Sequence, residues 1–144
     1  MYQRLLVPTD GSDITAKALS SAIGLAKLTG GRIVSVAVRE PFPYSAMSEI
    51  QPVPPQEFFD AQERLAERRL AAVTSACAEA GVACDVESIE GLHPWETILA
   101  TAEKHGCDLI VMASHGRRGV AALLLGSETQ KVLTHSEIPV LVVR

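Results

Sequence analysis

Residues 113–127 read Ala-Ser-His-Gly-Arg-Arg-Gly-Val-Ala-Ala-Leu-Leu-Leu-Gly-Ser, directly after the apolar run Leu109-Ile110-Val111-Met112 and directly before a segment of helical character, Glu128 to His135. Strand, glycine-bearing loop and helix therefore follow one another. Glycine lets main chain approach a ligand because no Cβ intervenes. The unbonded N–H groups that open the next helix then favour an anion. The expected ligand is a phosphate chain, held mainly by Gly116, Gly126 and Ser127, with Ser114 and Gly119 as lesser candidates. The Ser127 hydroxyl can donate to a phosphate oxygen or cap its own helix, and both roles fit the same position.

Working outward, the same alternation recurs along the chain. Arg4 to Pro8 is a short unbroken apolar strand, the pattern of burial on both faces of a parallel sheet. Thr9-Asp10-Gly11-Ser12-Asp13 is a turn in which Ser12 or Asp13 caps the next helix. That helix carries Ile14, Ala18, Ala22 and Leu25 at helical spacing and stops at Gly30-Gly31. Arg32 to Val38 is a second strand, completing a right-handed βαβ unit. Arg39 to Pro55 holds five prolines, Pro41, Pro43, Pro52, Pro54 and Pro55, and reads as an exposed loop. Its aromatics, Phe42 and Tyr44, either close over a ligand or pin the loop to the surface. A long helix follows from Gln56 to Ala80, with Phe59, Ala66, Leu70, Val73, Cys77 and Ala80 on one stripe. Val82 to Glu90 is a third, less apolar strand expected near a sheet edge. Pro94 opens a helix with Trp95, Ile98, Leu99 and Ala102 as its buried stripe. Leu109 to Met112 is the fourth strand and Ile138 to Val143 the last.

The order βαβαβαβαβ predicts a single α/β domain over residues 1–144, a doubly wound, five-stranded parallel sheet in a Rossmann-like α/β/α sandwich. Ligands of such sheets sit beyond the carboxyl ends of the strands, where the strand order reverses. Asp10 ends the first strand. Its carboxylate can accept from ribose hydroxyls or hold a water on Mg²⁺, or it can simply form the turn.

The glycine loop resembles the nucleotide-binding loop of the universal stress protein family, in its ATP-binding branch. That loop runs glycine, two residues, glycine, nine residues, glycine, then serine or threonine. Here Gly116 is followed by nine residues and then by Gly126 and Ser127, while Ala113 stands where the family has its first glycine. Alanine fits there if φ is negative and is strained if φ is positive. Pro8-Thr9-Asp10 likewise resembles the family's Pro-Thr-Asp opening. The resemblance runs from Leu5 to Val143. It implies an adenine nucleotide alpha hydrolase-like fold in which strands one and four are neighbours. It also implies ATP, with Mg²⁺ held through its phosphates and possibly Asp10, as the cofactor. The nucleotide-binding set is then Pro8, Thr9, Asp10, Ala37 (through its main chain, at the adenine edge), Met112, Ala113, Ser114, His115, Gly116, Arg118, Gly119, Gly126, Ser127 and Glu128. A homodimer through the last strand, Ile138 to Val143, is implied as well. A bare apolar edge there would otherwise invite aggregation.

Composition bounds the alternatives. The chain has 144 residues, 47% hydrophobic and 4% aromatic, so its core is aliphatic. A net charge of −4 argues against nucleic acid or an anionic membrane as partner. No apolar run approaches the ~20 residues of a membrane span, and no secretory segment is read at the start. Cys77, Cys84 and Cys107 have no metal or redox spacing and are expected as reduced thiols of a cytoplasmic protein. His115 lies in the loop as a phosphate contact or a solvated group. His93, His105 and His135 read as turn and helix-end residues. Arg117 and Arg118 reach either a phosphate or solvent. Neither a lysine after the glycine loop nor a Ser–His–Asp arrangement supports hydrolysis, so a regulatory nucleotide binder is expected rather than an enzyme. Two alternatives stand beside it: a nucleotide-free dimeric interaction module with an unknown signalling partner, and a slow ATPase.

Overall fold

A computed structural model describes residues 1–43, 55–116 and 124–144. The elements run β1 (Arg4–Pro8), α1 (Asp13–Thr29), β2 (Arg32–Arg39), α2 (Gln56–Ala80), β3 (Cys84–Glu90), α3 (Pro94–Lys104), β4 (Leu109–Ala113), α4 (Ser127–His135) and β5 (Val140–Val143). All the strand pairings are parallel, in the order β3-β2-β1-β4-β5. β1 and β4 are thus neighbours at the point where the winding reverses, as expected, and β3 lies at an edge.

Side chains alternate along each central strand, and the two sets fill two separate cores. Leu5 and Val7 of β1, Ile33 of β2 and Leu109, Val111 and Ala113 of β4 pack under α1 and α2. Leu6, Val34, Val36, Ile110 and Met112 pack on the opposite face under α3 and α4. Leu5, Leu6, Val7, Ile33, Ile110 and Val111 are all completely buried. At the amino-terminal end of β1 and β4, the Asp108 carboxylate accepts the main-chain N–H of Gln3 at 2.9 Å and of Arg4 at 3.0 Å. Burial pushes the Asp108 carboxyl up, but these N–H groups, its own N–H and the amino terminus together hold the group below its ordinary value.

Helix ends explain where the strands begin. Ser12 caps α1, accepting from the Thr15 N–H. After α2, Gly81 takes a left-handed φ of 71° and the Val82 N–H donates back to the Cys77 carbonyl at 2.9 Å. Val82, 8% exposed, closes the hydrophobic side of that turn. β3 therefore starts at Cys84, not Val82. Likewise Ile138 is held by the Ser136 hydroxyl, which accepts its N–H and donates to its carbonyl, so β5 starts at Val140.

Phe42 is buried edge-on against Phe58 of α2, ring centroids 5.2 Å apart. It pins the start of the proline loop. Tyr44, Pro52 and Pro54 lie outside the described residues. Cys77 and Cys107 are buried and Cys84 is half-buried, all as free thiols. Burial first, then the neighbouring Cys77, pushes Cys84 up to about 12.

Candidate nucleotide site

The site grows from the carboxyl ends of β1 and β4. The Thr9 N–H donates to the Val36 carbonyl at 3.0 Å, which ties the exit of β1 to β2. The chain then turns at Gly11, whose φ of +77° suits glycine. Asp10 Oδ1 accepts the Ser12 N–H at 2.9 Å and the Thr15 hydroxyl at 3.2 Å. This is an Asx turn that both starts α1 and fixes the carboxylate in orientation.

The other oxygen of that carboxylate meets the glycine loop. A Cβ added at Gly116 would stand 2.8 Å from Asp10 Oδ2. Gly116 has no positive φ, so it is the closeness of Asp10, and not backbone conformation, that demands glycine. Gly126 is similar. Its φ is −60°, yet a Cβ there would lie 3.0 Å from the His115 Cα and 3.4 Å from the Ser114 carbonyl oxygen. The Gly126 N–H donates to that carbonyl at 2.7 Å, closing the neck of the loop. Below the neck, the Ser114 N–H donates to the Val143 carbonyl at 2.8 Å and the Thr129 hydroxyl donates to the Ala113 carbonyl at 2.9 Å.

Ala113, in place of glycine, is 5% exposed and takes no positive φ. Its methyl group joins the core under α1 and α2, so alanine costs no backbone strain. Met112 turns its side chain into the opposite core. Ala37 is 1% exposed and packs with Ala66 and Leu70 of α2. Pro8 ends β1 in register with Val36.

One expectation is redirected. Gly126, not Ser127, holds the N-cap position of α4. The Ser127 hydroxyl is therefore not the cap, and the side chain is exposed. Glu128 has protein partners of its own. Its carboxylate accepts the Trp95 N–H at 2.9 Å and faces Lys131, bracing α4 against the start of α3. The same contact region stacks the Trp95 and His135 rings at 4.4 Å. Of the other helix-end histidines, His93 is the N-cap of α3 and His105 its C-cap, where it faces Glu87. Arg117, Arg118 and Gly119 lie outside the described residues.

A cleft of about 600 Å³ opens between the start of α1 and the loop, lined by residues 11–14 together with Lys17, His115 and Gly116. His115 is half-buried there, its Nδ1 3.2 Å from the Ser114 hydroxyl. Ser12, Asp13 and Lys17 are absent from the set read from sequence. They sit on a different element from the glycine loop, and only the pairing of β1 with β4 brings them to it. Among the described residues no group of three or more His, Cys, Asp or Glu side chains forms a metal site. No helix among them is long and apolar enough to cross a membrane.

The family model described as "Universal stress protein family" matches residues 1–144. The chain belongs to the universal stress protein family. The universal stress protein YxiE of Bacillus subtilis is 34% identical, with all of both chains covered. The universal stress protein MJ0531 of Methanocaldococcus jannaschii is 31% identical, covering all of this chain and 83% of its own length. Among solved structures, that of MJ0577, another universal stress protein of the same archaeon, superposes with a TM-score of 0.84 at 28% identity, covering 99% and 96% of the two chains. Two further members of this fold were solved with a nucleotide. One is a universal stress protein in complex with cAMP (TM-score 0.74, 23% identity, 99% and 97% of the chains covered). The other, from Archaeoglobus fulgidus, is in complex with dAMP (TM-score 0.73, 18% identity, 99% and 98% covered). This universal stress protein thus combines the family's parallel sheet with an acid-and-glycine junction at the switch point.

Proposed function

We propose that this universal stress protein is a regulatory binder of adenine nucleotides. It holds ATP with Mg²⁺ at the carboxyl ends of β1 and β4 and works as a homodimer. The reading is carried by one observation, the contact of the Asp10 carboxylate with the position of a Gly116 Cβ at 2.8 Å. A fixed acceptor for ribose hydroxyls and a bare stretch of main chain for phosphates meet there, at the point where sheets of this kind take their ligands. Ala37 contributes main chain to the adenine edge, and Ser127 offers its exposed hydroxyl to a phosphate oxygen. Arg118 and Gly119 complete the loop. Mg²⁺ arrives on the phosphates in this reading, with the Asp10 carboxylate beside Gly116. The cAMP- and dAMP-bound members of the fold support the ligand class. The three free thiols fit a reducing, cytoplasmic setting.

Titration calorimetry with ATP and Mg²⁺ tests this. One site per chain is expected, with a dissociation constant of about 1–100 μM, or about −8 to −5.5 kcal/mol. Absence of heat, together with no adenine nucleotide in a heat-released extract of the purified protein, leaves a nucleotide-free interaction module in its place. Phosphate release over the same sample reads out slow hydrolysis.

The dimer rests on β5. It pairs only with β4 among the described residues, ends the sheet, and is wholly apolar, with Leu141 40% exposed and Leu133 of α4 41% exposed. Strand addition by a second copy satisfies that edge. Light scattering is expected to give two chains. Leu141→Lys, which puts a charge into that contact, is expected to raise the dimer dissociation constant by more than about tenfold with the circular dichroism spectrum unchanged. A single-chain mass for the wild type rejects the dimer.

A further inference from the structure

The cleft beside the glycine loop extends past the residues that the nucleotide reading uses. Its wall on the α1 side carries Lys17, one helical turn beyond Asp13. Lys17 is exposed. Among the cleft-lining residues it is the one side chain that is cationic at any physiological pH. His115 and Gly116 belong both to this cleft and to the nucleotide loop, so the cleft continues the phosphate path and is not a separate hollow. We infer that Lys17 receives the outermost phosphates of a nucleoside triphosphate in this cleft, making the chain selective for triphosphates over monophosphates.

The inference rests on the nucleotide reading and goes beyond it by naming the residue that meets the outer phosphates. A triphosphate carries about two more negative charges than a monophosphate at neutral pH, and those charges need a partner farther out. A lysine supplies a point charge on a flexible stem, suited to a phosphate tail whose end is not held in one bidentate geometry. Asp13, in the same cleft, disfavours a bare phosphate, so the tail enters with its charge partly neutralised by Mg²⁺.

Calorimetry with ATP, ADP and AMP, each with Mg²⁺, on the wild type, Lys17→Gln and Lys17→Arg tests the inference. Lys17→Gln is expected to weaken ATP by about tenfold, the loss of one charge-assisted contact, and to leave AMP within about twofold. Lys17→Arg is expected to keep the wild-type order of affinities. Equal ATP affinity in Lys17→Gln and wild type, or an equal loss for ATP and AMP, overturns the role of Lys17 while leaving nucleotide binding in place. A wild type that binds AMP as tightly as ATP does the same. A wild type that binds none of the three removes the nucleotide reading and this inference together. Matching thermal melts of the three proteins guard against a folding defect.

Discussion

Ile110→Ala is expected to lower the free energy of unfolding by about 2–5 kcal/mol, measured by urea denaturation. Ile110 is completely buried at the centre of β4 and packs in the core under α3 and α4. It pairs with Leu6 of β1 on one side and Val140 of β5 on the other. Its main chain is fixed from both neighbours, and the Ile110 N–H donates to the Pro139 carbonyl at 2.9 Å. The strand therefore cannot slide to fill the space that the lost side chain leaves. The cost combines lost burial with an unrelaxed cavity. Total stability for a domain of this size is about 5–15 kcal/mol, so the variant is expected to be near its folding limit at 37 °C. A loss below about 1 kcal/mol would mean that the two sheet faces repack freely, contrary to close packing.

Asp10→Ala is expected to weaken ATP binding by about 10- to 100-fold, the equivalent of one or two hydrogen bonds to a charged acceptor, as read by calorimetry. The side chain also builds the Asx turn, through the Ser12 N–H and the Thr15 hydroxyl. Loss of that turn lowers stability by about 1 kcal/mol. Asp10→Asn separates the two roles. Its side-chain oxygen keeps the turn, whereas the charge that attracts ribose hydroxyls or an Mg²⁺-bound water is gone. Wild-type affinity in both variants would reduce Asp10 to a turn former. Weakened binding in both, with a normal melt for Asp10→Asn, assigns the carboxylate to the ligand.

Much of the scaffold was legible because its signals are local. Unbroken apolar runs such as Leu5 to Val7 mark strands buried on both faces, and Gly30 and Gly81 mark helix ends. The sparse apolar content of 84–90 marks an edge strand. Boundaries were missed where a residue serves the preceding turn: Val82 completes the end of α2 and Ile138 is gripped by Ser136. Motif and spacing singled out Asp10 and Gly116, which the structure sets side by side, but the reason for glycine was not legible. Spacing suggested room for a phosphate, whereas the structure sets a carboxylate against one glycine and main chain against the other. The Trp95 partner of Glu128 and the place of Lys17 in the cleft were not legible, for a shared reason. A side chain's direction depends on partners far away in sequence, such as Trp95, 33 residues from Glu128.

The alternation along β1, β2 and β4 makes the sheet a wall with a filled room on each side. Trp95 borders one room and Tyr2 the other. Deleting a single residue from β1 would send Leu5 and Val7 to the side now occupied by Leu6, spoiling both fillings in one stroke. Neither half of the sandwich can then melt while the other stays intact, and the molecule holds or fails as a whole.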